Sequence, residues 1–529
     1  MKNYDIIVIG AGFAGMYMLH RARQQGLDVR VFEAGSDVGG TWYWNRYPGA
    51  RCDVESMEYS YQFDEDLQQE WEWSERYAPQ AEILAYAGHV AERFNLREDI
   101  QFNTRVSAMA FDEESACWLV TTDEGESCRA NFVVAATGCL SVPVIPEFPG
   151  QDRFNGDIYH TGRWPHHPVD FTGKRVGVIG TGSSGVQCIP LIAEQAEQLF
   201  VFQRSPNYSV PAHNGPMNPQ LQSRIKARYA ELRQQNKDMM IGWGARHPRN
   251  DGFVFDMTPD ERAQQFERHW QLGGLMFLSA FGDLVVDQEA NEEACEFVRG
   301  KIREIVQDPD VAERLSPHSS IFCKRLCADT NYFATYNRDN VQLVDVNASP
   351  IVEMTETGLR TSDAEYELDC IVSATGFDAM TGALERMDIK GRGGETLKEK
   401  WAEGPKTYLG LETTGFPNLF IITGPGSPSV LTNMLPSIEQ HVDFIADCIS
   451  YMRQRELQLI EPSPEAEEHW VEHVNAVADM TLFPGCNSWY LGANIPGKPR
   501  VFQPLLGFPD YIAKCDEVAA NDYEGFMLS

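Results

Sequence analysis

Two continuous apolar runs in the chain each open directly onto a glycine-rich loop. Residues 6–9 precede the loop at 10–15, and residues 176–179, which follow Arg175 in the same predicted strand, precede the loop at 180–185. An apolar run without polar alternation is typical of a strand that is buried on both faces of a parallel sheet. The residues after each loop have the pattern of a helix. The chain is therefore predicted to contain two strand–loop–helix units, each in an α/β domain.

The glycines of both loops are spaced as in units that bind the pyrophosphate of a dinucleotide. The first glycine permits a tight turn, the second lets the pyrophosphate approach the main chain, and the third lets the helix pack closely on the strand. A dinucleotide is thus predicted at each loop. The binding positions are Gly10, Gly12 and Gly15 in the first loop and Gly180, Thr181, Gly182, Ser183, Ser184 and Gly185 in the second.

The strand that follows each unit ends in a residue of different charge. The first ends at Glu33, whose carboxylate can accept hydrogen bonds from ribose hydroxyls. The second ends at Arg204, which can bind a 2′-phosphate that an acidic residue would repel. The sequence therefore predicts FAD at the first unit and NADP(H) at the second.

Two later strands, which end in Ala-Thr-Gly at 136–138 and 374–376, resemble the return strands of flavoproteins with two dinucleotide domains. We predict an α/β fold of two Rossmann-like dinucleotide-binding domains, for FAD and NADPH, with a helical insertion. The FAD-binding domain takes residues 1–145 and 381–529, the fingerprint linker and NADP-binding domain take 146–216 and 321–380, and the insertion takes 217–320.

Periodicity and capping residues predict several helices outside the two units. A helix is expected over 67–95, ending near Asn95. Within the insertion, helices are expected to begin at Thr258-Pro259, where Glu261 completes a capping box, at Asn291 and at Asp308. Another is expected to begin at Pro436, after the loop at 424–435.

The composition limits the classes of partner. Hydrophobic content is 43%, charged content 23%, and net charge −33, so nucleic acid and anionic membrane are unfavourable partners. No apolar run approaches the ~20 residues of a membrane span. The first residues have the pattern of a strand rather than a signal peptide. A cytoplasmic location is therefore expected.

The chain has 12 cysteines and no Cys-x-x-Cys pair, which predicts reduced thiols rather than a disulfide framework. Cys323 and Cys327 are the closest pair and would share one face of a helix. We expect them to be structural, and no metal site is predicted.

Between the two glycine loops lies the pattern Phe-x-Gly-x-x-x-His-x-x-x-Trp-Pro. Its fixed positions are Phe154, Gly156, His160, Trp164 and Pro165. The pattern resembles the fingerprint of type I Baeyer–Villiger monooxygenases, and the resemblance extends over nearly the whole chain. The loop at 424–435 and the stretch at 488–498 are most similar to the phenylacetone monooxygenase branch.

The resemblance implies an FAD-containing enzyme that uses NADPH and O2 to convert ketones to esters or lactones through a flavin C4a-peroxide. It implies that Arg325 keeps this peroxide anionic, with Asp53 holding the arginine in place. Its partners are then a small-molecule ketone and O2. The oligomeric state stays open, with a monomer plausible.

Family motifs also imply the cofactor contacts, residue by residue. For FAD these are Gly10, Gly12, Gly15, Glu33, Thr41, Trp42, Tyr43, Trp44, Asp53, Tyr59, Val106 and Met434. For NADP they are Arg51, Cys52, Asp53, Gly180, Thr181, Gly182, Ser183, Ser184, Gly185, Val186, Gln187, Cys188, Arg204, Ser205, Lys324, Arg325 and Trp489.

Three alternatives remain open on the sequence. A flavin-dependent N- or S-oxygenase uses a similar scaffold. A flavin disulfide reductase would need a redox pair, for which only Cys323 and Cys327 could serve. A non-catalytic flavin-binding sensor should lack the pair of Arg325 and Asp53.

Overall fold

The computed structural model describes all residues, 1–529. Its strands are β1 (Lys2–Ile9), β2 (Val29–Phe32), β3 (Ile100–Gln101), β4 (Val106–Asp112), β5 (Cys117–Thr122), β6 (Ser127–Ala135), β7 (Asp157–His160), β8 (Arg175–Ile179), β9 (Gln198–Gln203), β10 (Ser209–Pro211), β11 (Cys327–Asp329), β12 (Val341–Asp345), β13 (Ile351–Thr355), β14 (Gly358–Thr361), β15 (Glu365–Glu367), β16 (Cys370–Ser373), β17 (Asp388–Lys390), β18 (Leu419–Ile421), β19 (Ile460–Pro462) and β20 (Phe526–Leu528).

Its α-helices are α1 (Phe13–Gln24), α2 (Thr41–Trp44), α3 (Glu65–Glu70), α4 (Gln80–Arg93), α5 (Ser183–Gln195), α6 (Pro219–Lys226), α7 (Tyr229–Lys237), α8 (Pro259–Leu272), α9 (Gln288–Ile305), α10 (Pro309–Leu315), α11 (Tyr332–Thr335), α12 (Gly382–Glu385), α13 (Leu397–Lys400), α14 (Met434–Gln454), α15 (Pro464–Asp479) and α16 (Phe508–Ala520). None of these helices combines the length and the apolar character that a membrane span requires.

The two strand–loop–helix units belong to separate sheets. The first unit lies in an eight-stranded sheet of order β17-β4-β5-β6-β1-β2-β3, in which β18 also pairs with β6. The second lies in a five-stranded sheet of order β12-β9-β8-β16-β7, and every pair in that sheet is parallel. The predicted α/β class is confirmed.

The apolar run of β1 is buried on both faces, which is why it shows no alternation. Ile6 and Val8 pack into the core that includes α1 and α14. Ile7 and Ile9 face the opposite way, into a cluster that contains Trp118. Strand β4 was not predicted; it pairs antiparallel with β5 at the far side of that cluster.

Five helices, α6–α10, lie between β10 and β11, where the sequence predicts the insertion. Thr258 and Glu261 form the predicted capping box of α8, and Asp308 caps α10. Helix α9 begins earlier than predicted, since Asp287 is its cap. The prediction at Asn291 was wrong because that side chain is buried and donates to the Leu284 and Ile321 carbonyls.

The prediction of one helix over 67–95 was also wrong. Helices α3 and α4 are separated by an irregular stretch at 71–79. Pro79 is extended and precedes α4, because proline has no N–H for the interior of a helix. Helix α14 begins at Met434 rather than at Pro436, since the Asn433 side chain caps it by accepting from the Leu435 N–H.

Residues 480–507, here called the tail segment, join α15 to α16 and contain only two short 3₁₀ turns. In this segment Cys486 forms a disulfide with Cys323, with Cα atoms 5.6 Å apart. The expectation of reduced thiols throughout is therefore wrong for this pair, while the other ten cysteines are free and buried. Cys327 is not on a helix with Cys323; it begins β11.

Glu412 makes the stability of the folded protein depend on pH. It is fully buried, and neither carboxylate oxygen has a hydrogen-bond partner. Burial, with a smaller contribution from repulsion by Glu461, raises its pKa well above the unfolded value of 4.5. The folded protein therefore holds this proton more tightly than the unfolded chain does. Stability is lost as pH rises from 4.5 through the folded pKa.

We therefore expect Glu412→Gln to be more stable than the parent at pH 8, with the difference shrinking towards pH 5. One unit of pKa shift corresponds to about 1.4 kcal/mol, so the melting temperature at pH 8 should rise by a few degrees. Calorimetry across that range measures it, with the exposed Glu403→Gln as the matched control. An equal change in both variants, or no dependence on pH, would contradict this account.

Candidate active site

The first glycine loop has the shape of a dinucleotide cradle. Gly10 has φ +103°, and a Cβ on Gly15 would lie 1.8 Å from the Gly10 carbonyl oxygen. Gly12 precedes α1, and no side chain caps that helix, so its first N–H groups are available to an anion. The buried Glu33 carboxylate accepts from the N–H groups of Ala11 and Gly35, both at 2.6 Å. These residues fit the pyrophosphate and ribose of FAD.

The second loop repeats this geometry in the other sheet. Gly180 has φ +108°, and a Cβ on Gly185 would lie 2.3 Å from the Gly180 carbonyl oxygen. A Cβ on Gly182 would meet nothing within 4 Å, and α5 has no side-chain cap. The Thr181 hydroxyl donates to the Ser205 carbonyl at 2.9 Å. The loop thus has an open, donor-rich face that fits a second pyrophosphate.

Arg204 and Lys324 form a positive patch beside the second loop. Arg204 and Ser205 are exposed, and the Asn347 amide donates to the Arg204 carbonyl. Burial, and then repulsion by Arg204, lower the pKa of Lys324, and no carboxylate offsets that repulsion. A bound phosphate would relieve this repulsion, which fits NADP(H).

An aromatic loop leads from the first unit towards the cleft. Residues 41–44 form α2, in which Trp42 and Tyr43 are buried and Trp44 is half-buried. The Trp42 indole N–H donates to the Tyr59 hydroxyl at 3.1 Å. The Tyr59 ring lies 6.1 Å from that of Phe13, the first residue of α1. The aromatic loop therefore adjoins the first glycine loop.

Arg325 and Asp53 meet across the cleft between the two units. The Arg325 Nε and Nη2 donate to the two Asp53 oxygens at 2.9 and 2.8 Å, and Nη1 donates to the Val430 carbonyl at 2.7 Å. Burial opposes the charge on Arg325, but attraction to Asp53 outweighs it and holds the pKa of the guanidinium above its usual value. The cleft thus contains a fixed, permanently charged donor.

Four similarities to known proteins agree with this geometry. A family model described as "Flavin-binding monooxygenase-like" matches residues 3–235. A Baeyer–Villiger monooxygenase of Pseudooceanicola batsensis is 46% identical over 99% of this chain and 96% of its own length. A phenazine N-monooxygenase of Lysobacter antibioticus is 43% identical over 99% and 97%. A structure of oxidised steroid monooxygenase bound to NADP is 55% identical, with TM-score 0.95 over 100% and 99% of the two chains.

The chain belongs to the Baeyer–Villiger monooxygenases. This family consists of FAD-containing, NADPH-dependent oxidoreductases, and the predicted family is confirmed by identity over the full chain.

The Baeyer–Villiger fingerprint lies at the joint between β7, the edge strand of the second sheet, and the segment that leads there from the first return strand. The His160 Nδ1 accepts from the Gly162 N–H at 3.0 Å, so Nε2 carries the proton and donates to the Val144 carbonyl at 3.1 Å. Thr375 of the second return strand donates to the same carbonyl at 2.6 Å. Burial lowers the pKa of His160, which favours this neutral form.

The other fingerprint residues pack the same joint. A Cβ on Gly156 would lie 2.5 Å from the Phe154 ring and 2.4 Å from the Asp369 carbonyl oxygen. The Trp164 ring is buried beside Tyr159, and Pro165 follows it half-buried. The hydrogen bonds of His160 and the aromatic contacts of Trp164 lie within the second domain and its linker, so the motif shapes this joint.

Gln187 of α5 connects the two units directly. Its Oε1 accepts from the Tyr47 hydroxyl at 2.8 Å, and its Nε2 donates to the Arg51 carbonyl at 3.1 Å. The side chain of Arg51 turns away, to Glu75 at 2.9 Å. In this Baeyer–Villiger monooxygenase, the side chain of Gln187 thus contacts the stretch at 47–51, which follows the aromatic loop.

Several predicted cofactor residues present little or no side chain to the cleft. Val186 and Cys188 are fully buried, as is almost all of Val106 and Cys52. Met434 opens α14 behind Asn433. Most of these positions can therefore offer a cofactor only their main-chain groups.

The tail segment brings Tyr490 close to Arg325. Trp489 is half-buried and its ring lies 4.3 Å from that of Tyr490. Burial raises the pKa of Tyr490 to about 12, although nearby Arg325 lowers it. Neither Tyr490 nor the Val430 carbonyl was predicted. The aromatic pair at 489–490 could have indicated Tyr490, whereas a main-chain acceptor leaves no mark in the sequence.

Proposed function

We propose that this protein oxidises ketones to esters or lactones at the expense of NADPH and O2. The observation that carries the proposal is the arrangement of Arg325, held by both oxygens of Asp53 and by the Val430 carbonyl, in a cleft between two dinucleotide cradles. A flavin-binding sensor has no use for such a fixed charge. A flavin disulfide reductase would need Cys323 and Cys327 as its redox pair, but Cys323 is bonded to Cys486 instead.

The site residues around the first sheet would bind FAD, and those around the second sheet would bind NADP(H). Gly10, Gly12, Gly15 and Glu33 would hold FAD beside the aromatic loop at 41–44. The loop at 180–185 would hold NADP(H), with Arg204, Ser205 and Lys324 around the 2′-phosphate. When bound, FAD reduced by NADPH supplies the activated oxygen that a protein side chain cannot.

Arg325 is the residue of this chain that would act on the reacting atoms. Its charge and directed N–H groups would stabilise the negative charge that develops on oxygen during attack on a ketone carbonyl. Asp53 fixes the plane of the guanidinium, because both of its oxygens are used. An arginine cannot give up its proton here, so it stabilises charge without acting as an acid.

Trp489 and Tyr490 cover the cleft from the tail segment. Excluding water strengthens the interaction of Arg325 with a negative charge and suppresses release of hydrogen peroxide. We assign this role to the tail because Tyr490 lies close enough to Arg325 for that charge to lower the pKa of its hydroxyl.

The finer assignments are part of this proposal. A net charge of −33 favours a small neutral ketone over nucleic acid or an anionic membrane as partner. We propose a cytoplasmic location and a monomer; fractionation of the source cells and light scattering test these two points.

Product analysis tests the proposed reaction. The purified holoenzyme is given NADPH and O2 with phenylacetone, cyclohexanone, a steroid ketone and phenazine, and products are identified by mass spectrometry. We expect an ester or lactone from at least one ketone, with one atom from ¹⁸O2. Phenazine is included because one relative is named for it. An N-oxide as the sole product would overturn the proposal.

Arg204 provides a test of cofactor choice. Arg204→Ala removes a charge-assisted contact to the 2′-phosphate worth about 1.5–3 kcal/mol, so KM for NADPH should rise roughly 10–100-fold. KM for NADH should change little, because NADH has no such phosphate. Arg360→Ala, on the exposed face of β14, is the control. Equal KM values for NADPH and NADH in the parent would contradict the assignment.

A further inference from the structure

The disulfide between Cys323 and Cys486 joins the segment that carries the candidate catalytic arginine to the tail segment. Cys323 lies two residues before Arg325, and Cys486 lies three residues before Trp489. The bond spans 163 residues of chain. It therefore connects the two segments that together form the charged donor and its cover.

The tail segment is held by buried side chains such as Phe483 and Phe502, but it has few polar contacts with the second unit. It contains no strand and no α-helix. The Asn494 amide donates to the Phe377 carbonyl at 2.7 Å, and the Lys498 ammonium contacts Asp378 at 2.6 Å and the Ala379 carbonyl at 3.0 Å. A covalent link in such a segment removes more conformational freedom than any of these polar contacts.

Cys323 is buried like the free cysteines, but Cys486 is not. The ten free cysteines are all buried. Cys486 is half-buried and follows the turn at 483–485, which leaves the bond within reach of a small thiol. In a cytoplasmic protein a disulfide is commonly a redox-sensing one. Position and exposure thus both favour a reversible bond.

We propose that Cys323 and Cys486 form a reversible latch that positions the tail segment over Arg325. The inference rests on the proposed function. Oxidation joins the two sulfur atoms, and their two electrons and two protons pass to a low-molecular-weight disulfide, which becomes two thiols. Reduction by such thiols reverses the step. The closed latch couples NADPH oxidation to ester formation, and the open latch lets water reach the cleft.

The bond is tested first on the unmodified protein. Denatured oxidised protein should titrate ten thiols, matching the ten free cysteines, and reduced protein should titrate all 12. Peptide mapping without reductant should recover Cys323 linked to Cys486. Twelve thiols in protein prepared without reductant, even after incubation with oxidised glutathione, would overturn the proposal.

Movement of the tail is tested without reference to activity. Trypsin can cleave after Arg500, which is exposed in the tail segment. We expect faster cleavage in holoenzyme reduced with a phosphine and in Cys486→Ser, and restored protection when the reduced parent is reoxidised. Cys117→Ser, in β5, is the control and should match the parent. Equal cleavage in the oxidised and reduced parent would overturn the latch.

The functional readout is the ratio of ester to hydrogen peroxide formed per NADPH. Reduction of the latch should lower this ratio several-fold, while the rate of flavin reduction in stopped-flow stays within twofold. A general loss of structure would change both. If no ester forms in either state, the proposed function fails, whereas the tryptic assay still decides on the latch. An unchanged ratio in an ester-forming enzyme would overturn the latch as a positioning device.

Discussion

Arg325→Ala is expected to lower the rate of ester formation by about 10²–10³-fold, the effect of removing a donor worth roughly 3–4 kcal/mol at a developing oxyanion. In the parent, Asp53 and the Val430 carbonyl hold the Arg325 guanidinium in one orientation, and alanine offers no charge there. Transfer of hydride to the flavin precedes the need for this charge. NADPH should therefore still be consumed, with hydrogen peroxide as the product.

Stopped-flow measurement of flavin reduction, together with ester quantification, separates the two steps. Arg175→Ala is the matched control, because Arg175 also pairs with an aspartate through two of its nitrogens, at the other end of β8. Arg325→Lys keeps a charge but cannot contact both Asp53 oxygens in a plane. Its rate of ester formation should lie between those of the parent and Arg325→Ala. An Arg325→Ala enzyme with the parent's ester yield per NADPH would refute the role.

Gly15→Ala is expected to abolish binding of FAD. The added Cβ would lie 1.8 Å from the Gly10 carbonyl oxygen and 2.9 Å from its carbon. Both are main-chain atoms, so α1 would have to move away from β1 and the cradle between them would be lost. The purified variant should have little absorbance near 450 nm.

Gly300→Ala is the matched control, since a Cβ on this helical residue would meet nothing within 4 Å. Alanine is also favoured over glycine inside a helix by roughly 1 kcal/mol, so this variant should retain FAD and be at least as stable as the parent. Full flavin content in Gly15→Ala would show that the cradle tolerates a shift that the geometry forbids.

The two glycine loops could be predicted from the sequence because their requirements are local. Gly10 and Gly180 have left-handed φ, and Gly15 and Gly185 lie against a carbonyl of their own loop, so a short motif specifies the shape. Glu33 and Arg204 follow at strand ends for the same reason. The capping boxes and caps at Thr258 and Asp308 are local as well.

The features that were missed depend on tertiary contacts. The break at 71–79 follows from Pro79, but apolar residues on both sides conceal it. Cys323 is bonded to a residue 163 positions away, which no spacing rule within the chain can indicate. The Arg325–Asp53 pair was suggested only by family resemblance. A Lys-Arg dipeptide is common on protein surfaces and by itself indicates no site. The Val430 acceptor is main chain and could be located only in three dimensions.

The side chain of Gln187 has a consequence for ligand binding. It lies two residues after Gly185, and its hydrogen bonds end at Tyr47 and at Arg51, two residues before Asp53. We expect a displacement of the second loop to reach Asp53, the partner of Arg325, through these bonds. The two sites then share a coupling free energy, and such coupling is reciprocal. If a ligand at the nicotinamide site favours one orientation of Asp53, then holding Asp53 in that orientation raises the affinity for that ligand by the same free energy.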